Sequence, residues 1–191
     1  MTRLLVTPPA LEPVSLADLK AHARVETDAD DTLIGTYVIA SRMHVEASSQ
    51  LAMVNQTWRF YRDAWPEEGP LELAIRPVQS VLSITVYDEA GNPTLLDADD
   101  YRVDLVSNPI RIYPVNARAR AIGQQMNGLE IEVVAGYGPT SIDVPKVLRL
   151  AILQLAAFWY DNRASLVGDS ISLPIPDMIE PLVAPFRTAR L

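Results

Sequence analysis

The chain has no cysteine, which excludes disulfide scaffolds, thiolate metal sites and cysteine nucleophiles. Histidine is almost as scarce. Only His22 and His44 occur, and neither has an acid–nucleophile pair near it in sequence, so both read as ordinary helix positions. Positive charge is in deficit, with 16 Lys and Arg against 24 Asp and Glu and a net charge of −8. A dedicated nucleic-acid binder needs a basic face to displace counterions from phosphates, and this balance argues against one. Long hydrophobic runs are missing too. No stretch approaches the roughly 20 apolar residues needed to cross a bilayer. The start, Met-Thr-Arg-Leu-Leu-Val-Thr-Pro-Pro, is broken by proline before it could form a signal-peptide core. The expectation is a soluble protein, cytoplasmic when made and without a membrane partner.

What is present is apolar surface: 49% of the 191 residues are hydrophobic, enough to bury a real core. Ser15 with Asp18 three residues on has the form of a capping box and predicts a short helix over Leu16–Ala23. Asp28, Asp30 and Asp31 supply an acidic first turn for a second helix, about Asp30 to Leu51. Leu33, Ile34, Tyr37, Val38, Ser41 and Val45 follow its amphipathic stripe. From Val54 the grammar becomes that of strands. Runs at Thr57–Arg62, Leu71–Ile75, Val81–Tyr87, Tyr101–Leu105, Ile110–Tyr113 and Leu129–Ala135 are separated by turns and predict an antiparallel sheet. Asp143, with Pro145 in the first turn, opens a third helix reaching about Asn162. Val147, Leu148, Leu150, Ile152, Leu153, Leu155, Phe158 and Trp159 make it apolar nearly all round, more than one small domain should cover alone. Four prolines at 174, 176, 181 and 185 limit the tail to a short helical turn around Asp177–Ala184.

The fold class is therefore α+β: a helical core of two N-terminal helices and one long C-terminal helix, with an inserted antiparallel β-rich region and an extended C-terminal tail. Residues 1–172 form one domain, with helices at about 15–52 and 143–163 and the β-rich insertion at about 54–137. Residues 173–191 are a separate proline-rich arm.

The search for chemistry finds no site. No Gly-x-Ser-x-Gly elbow, phosphate loop or His-Glu-x-x-His pattern occurs. An EF-hand loop starting at Asp28 would need glycine and glutamate where Leu33 and Ile39 stand. Asp97, Asp99 and Asp100 read as a solvated turn. Ala135-Gly136-Tyr137-Gly138-Pro139 follows a strand but departs from the dinucleotide spacing, and reads as a tight turn. Arg111, Arg118 and Arg120 are the one local basic concentration and read as a solvated face, with an acidic partner or passing DNA as alternatives. No catalytic residue, cofactor or metal ligand is expected.

The order of segments resembles the head–tail connector (adaptor) proteins of tailed phages, including the adaptors of gene transfer agents. The resemblance is carried by Pro13–Val25, Leu33-Ile34, His44-Val45-Glu46-Ala47, Asn55-Gln56-Thr57-Trp58 and Arg76–Val81. Asp100-Tyr101-Arg102-Val103, Ala135-Gly136-Tyr137-Gly138, Val144-Pro145 and Phe158–Arg163 complete it. It implies a structural, non-enzymatic virion subunit in a homo-oligomeric ring, typically of about twelve copies. The portal protein would lie above it and a stopper or tail-completion protein below, with DNA passing through the channel without specific binding. Its place would be the neck of the particle, after synthesis in the bacterial cytoplasm. The alternatives are a stopper or other neck and tail-completion protein, or an enzyme with an unrecognised site. On this reading the arm binds the portal or a neighbouring subunit through Ile175, Met178, Ile179, Leu182, Phe186, Arg187 and Arg190, or else packs back on its own domain.

Overall fold

The computed structural model describes residues 2–163 and 175–187. They fall into two compact units, one of residues 1–10 and 55–137, the other of residues 11–54 and 138–191. The first is β-rich and the second helical, so the chain enters the β-rich unit, leaves it for two helices, returns, and leaves again.

The β-rich unit holds eight strands: β1 (Thr2–Thr7), β2 (Gln56–Arg62), β3 (Leu71–Glu72), β4 (Val78–Tyr87), β5 (Pro93–Leu95), β6 (Tyr101–Asp104), β7 (Arg111–Pro114) and β8 (Leu129–Ala135). They make a five-stranded sheet in the order β1-β2-β8-β4-β5 and a three-stranded one in the order β3-β7-β6. Every pairing is antiparallel. Strand β8 shows why it sits centrally. Leu129, Ile131, Val133 and Ala135 are buried while Glu130, Glu132 and Val134 are only partly so, the period-two pattern of a strand with one core face. Phe60, Ile84, Leu71, Leu73, Ile75 and Ile112 complete that core. On the other face Arg59 bridges Glu130 at 3.1 Å and Glu132 at 2.7 Å, and Tyr87 donates to Glu130. The turns are built from side-chain acceptors. Asp100 is buried rather than solvated, and takes hydrogen bonds from Asn116 and from the Asp97 amide.

The helical unit has α1 (Leu16–Ala23), α2 (Asp31–Ser49), α3 (Lys146–Asp161) and α4 (Ile179–Val183). The capping box of α1 is present, with Asp18 Oδ2 accepting from the Ser15 amide and hydroxyl, and Ser15 Oγ accepting from the Asp18 amide. Helix α3 begins later than the expected Asp143. Asp143 instead closes a 3-10 turn (Ser141–Asp143), accepting from the Thr140 amide and hydroxyl. Pro145 then precedes the first helical residue, a place where its missing N–H costs nothing. Helix α3 is the hub of the unit and packs on α1, α2 and α4. At its end Tyr160 donates to Asp30 at the start of α2, over 2.7 Å, and Arg163 lies over the Tyr160 ring and 3.7 Å from Asp30. The Phe158–Arg163 stretch thus latches two helix ends together.

No helix among the described residues is long and apolar enough to cross a membrane.

Candidate assembly interface

The charged and polar clusters singled out in the sequence serve the fold. Lys20 bridges Asp28 and Asp31 at 2.6 and 2.7 Å, so those acids tie α1 to the start of α2. Arg111 pairs with Asp104, and Arg118 with Asp97 and Asp100, which neutralises two members of the basic concentration; Arg120 is exposed. Ser107 and Arg111 hold the Asp104 carboxyl well below the usual carboxylate range. The Gly136 amide donates to Pro77 O at 2.9 Å at a φ of 145°, and Gly138 leaves room for the Asp143 carboxyl. That glycine loop is a turn. His44 meets Trp159 edge to face at 6.1 Å. Among the described residues no group of three or more His, Asp and Glu is placed to hold a metal.

The apolar surface is distributed differently from the expectation. Helix α3 buries Leu148, Ala151, Ile152, Leu155, Ala156, Ala157, Trp159 and Tyr160, and of its apolar residues only Val147 and Leu150 are exposed. Its three helix neighbours account for the covering, so it does not carry the large unpartnered face that its sequence suggests.

Two other surfaces are bare. On α2, Thr32, Thr36, Ile39, Met43 and Ala47 are exposed, with Ile39 at 45% and Met43 at 57%. Their spacing of 4, 3, 4 and 4 puts them on one face of the helix. A 19-residue surface helix with no charge on its outer face is shaped for packing, since soluble helices normally carry charged residues there. The second surface is β1, where all six residues are exposed and Leu4 reaches 55%. Sequence reasoning gave no element to residues 2–7. The Arg-Leu-Leu-Val run was the available signal, and its shortness before Pro8 hid it.

The arm residues scatter. Ile175 and Met178 are exposed, Leu182 and Phe186 half-buried, and Ile179 and Val183 buried at 3% and 1%. Helix α4 lies on α3, so Ile179 holds the segment to its own unit. Arg187 pairs with Glu180 within the segment. Arg190 lies outside the described residues.

This chain is built like a neck chain of a gene transfer agent particle. It matches a chain of the virion of a native gene transfer agent particle with a TM-score of 0.82 and 26% identity, covering 100% of this chain and 97% of that one. A chain from the neck of an empty particle, computed with C6 symmetry, matches at 0.80, and one from the neck of a native particle, computed with C12 symmetry, at 0.73. Both share the same identity and coverage. No family model matches the sequence, and no curated protein does.

Proposed function

We propose that the protein is a structural subunit of a virion neck: a head–tail adaptor that forms a ring beneath the portal of a gene transfer agent or tailed phage and extends the DNA channel. The observation that carries the reading is the likeness to a neck chain, which covers 100% of this chain and 97% of that one. The cyclic symmetry of those necks favours a ring of about twelve copies, joined by head-to-tail contacts. The uncharged face of α2 gives such contacts a place to form. The portal would sit above and a stopper or tail-completion protein below.

The segment after Ser172 serves as the docking arm for the portal. Ile175 and Met178 are displayed for it, whereas Ile179, Leu182 and Phe186 could join only if α4 left α3. The channel lets DNA slide rather than gripping it, because an acidic chain that pairs Arg42, Arg59, Arg111 and Arg118 with its own carboxylates offers phosphates little. Filter binding to duplex DNA at moderate salt should accordingly show no sub-micromolar complex, and tight binding with a steep salt dependence would refute that part.

The decisive experiment is electron microscopy of particles from a host lacking this gene and complemented with it. Tailless or leaking heads in its absence, and a ring of this chain at the head–tail junction in its presence, are expected. Normal particles without the protein would overturn the reading.

A further inference from the structure

The five-stranded sheet has two open edges. Among the described residues strand β1 pairs only with β2, which leaves its outer side without a strand partner. On the opposite edge β5 covers only part of β4. It pairs with Thr85–Tyr87, and the Leu96 amide reaches Ile84 O, which among the described residues leaves Val78–Ser83 without a strand on that side. Each open stretch is six residues long, Thr2–Thr7 and Val78–Ser83.

Free edges are templates for pairing, and folded proteins usually blunt them with charge, proline or a covering element. Here the β5 end is blunted by Pro93, but β1 has no proline between residues 2 and 7. Its one charged side chain, Arg3, is turned onto the Trp58 ring at 5.0 Å. The open half of β4, Val-Gln-Ser-Val-Leu-Ser, carries no charge either, and Leu82 on it is exposed.

Strand direction decides what can fill both edges. From β1 through β2 and β8 to β4 each step is antiparallel. Three reversals make β1 and β4 run in opposite senses. Rotation about a ring axis preserves the sense of any strand lying along that axis. The β1 of one copy, brought against the β4 of the next, therefore meets it antiparallel, as a continuation of the same sheet. Both edge strands are irregular, with register shifts against their inner partners at Leu5/Thr7, Val78/Ser80 and Val81/Ser83, and such bulges interrupt a regular ladder locally.

We propose that neighbouring copies of this chain join by β1-to-β4 strand addition, so that the sheets run continuously around the ring. The inference rests on the ring reading above and names the surface that closes it. At about 4.8 Å per strand, twelve copies of four strands would enclose a barrel at least roughly 70 Å across.

The absence of cysteine makes the test direct. Leu4→Cys and Leu82→Cys are placed in one chain, and assembled necks are treated with a bismaleimide that spans about 8 Å, too short for the roughly 14 Å across three strand spacings within one copy. A ladder of linked copies up to the closed ring is expected, with no ladder from either single variant. If micrographs show the ring but the pair does not link, or links to a different virion protein, strand addition is wrong while the ring stands. If micrographs show no ring, the underlying reading fails instead. Should the double variant not assemble, hydrogen exchange on wild-type necks replaces it. Amides of residues 2–7 and 78–83 should exchange at least about tenfold slower than in the free subunit, and unchanged exchange overturns the proposal.

Discussion

Arg42 is the most committed charged residue of the helical unit. It is buried on α2 and bonds Glu12 at 2.7 Å and Glu46 at 2.6 Å, while Glu46 also accepts from the Met53 amide at 2.8 Å. Burial opposes its charge, yet the bonds from Glu12 and Glu46 outweigh that and raise its pKa. Removing it would leave Glu46 desolvated without a counter-ion. Arg42→Ala should destabilise the unit by on the order of 3 kcal/mol, below the largest values for such losses because Glu12 keeps some water. Urea unfolding followed by helical circular dichroism measures it. Two glycines give a paired prediction. A Cβ on Gly128 would stand 2.5 Å from Ile122 Cγ2 and 2.6 Å from the Gln124 carbonyl oxygen, whereas one on Gly35, inside α2, meets nothing within 4 Å. Gly128→Ala should cost about 1–3 kcal/mol by overpacking. Gly35→Ala should gain up to about 1 kcal/mol by stiffening the unfolded chain. Thermal melts of the two variants should move in opposite directions.

At the scale of elements, what local chemistry specifies was legible in the sequence and what neighbours specify was not. Helix α1 runs over Leu16–Ala23, as its capping residues require, and β8 over Leu129–Ala135, as its alternation requires. Strands β1 and β5 were missed because every residue of both is exposed, so no buried face impresses a period-two pattern on their side chains. The open half of β4, the second piece of the proposed interface, is invisible for a related reason, since pairing partners are absent from a one-dimensional pattern. Helix α3 was recognised as buried, but sequence could not say that α1, α2 and α4 do the burying. The tail had its short helix foreseen around Asp177–Ala184, yet not the burial of Ile179 and Val183. That burial is open to test. Ile179→Asp would put a charge where the side chain is 3% exposed, so α4 should detach from α3. Trypsin should then cut after Arg187 at least about tenfold faster than in the wild type, because proteolysis follows the population of the open form. An unchanged cleavage rate would show that α4 contributes nothing to the unit.

At the scale of the whole molecule, both units are held by carboxylates whose pKa is depressed, and this fixes how the protein answers to acid. In the β-rich unit Asp104 is lowered by Ser107 and then Arg111, Asp100 by Asn116, and Asp88 by Asn92. In the helical unit Asp18 is lowered by Ser15 and Asp143 by Thr140. A carboxyl that binds its proton less readily when folded than when unfolded stabilises the fold above its unfolded pKa of about 3.9, and that stabilisation is lost as pH falls toward the folded value. Lys20 works in the opposite direction. Its bonds to Asp28 and Asp31 raise its pKa, so its contribution is complete below about pH 10 and fades above it. Stability should therefore be flat between about pH 5 and 9, fall below about pH 4 in both units together, and decline weakly above pH 10. Precipitation is to be expected around the isoelectric point near 4.7, where the net charge of −8 at neutral pH has been titrated away and repulsion between copies vanishes. Melting followed by helical circular dichroism and by the fluorescence of a Trp159→Phe variant, whose remaining tryptophans Trp58 and Trp65 lie in the β-rich unit, from pH 2.5 to 10.5 and avoiding the isoelectric region, gives the whole profile. A melting temperature that rises on acidification from pH 5 to 3 would mean that these carboxylates are held at a cost and not to the benefit of the fold.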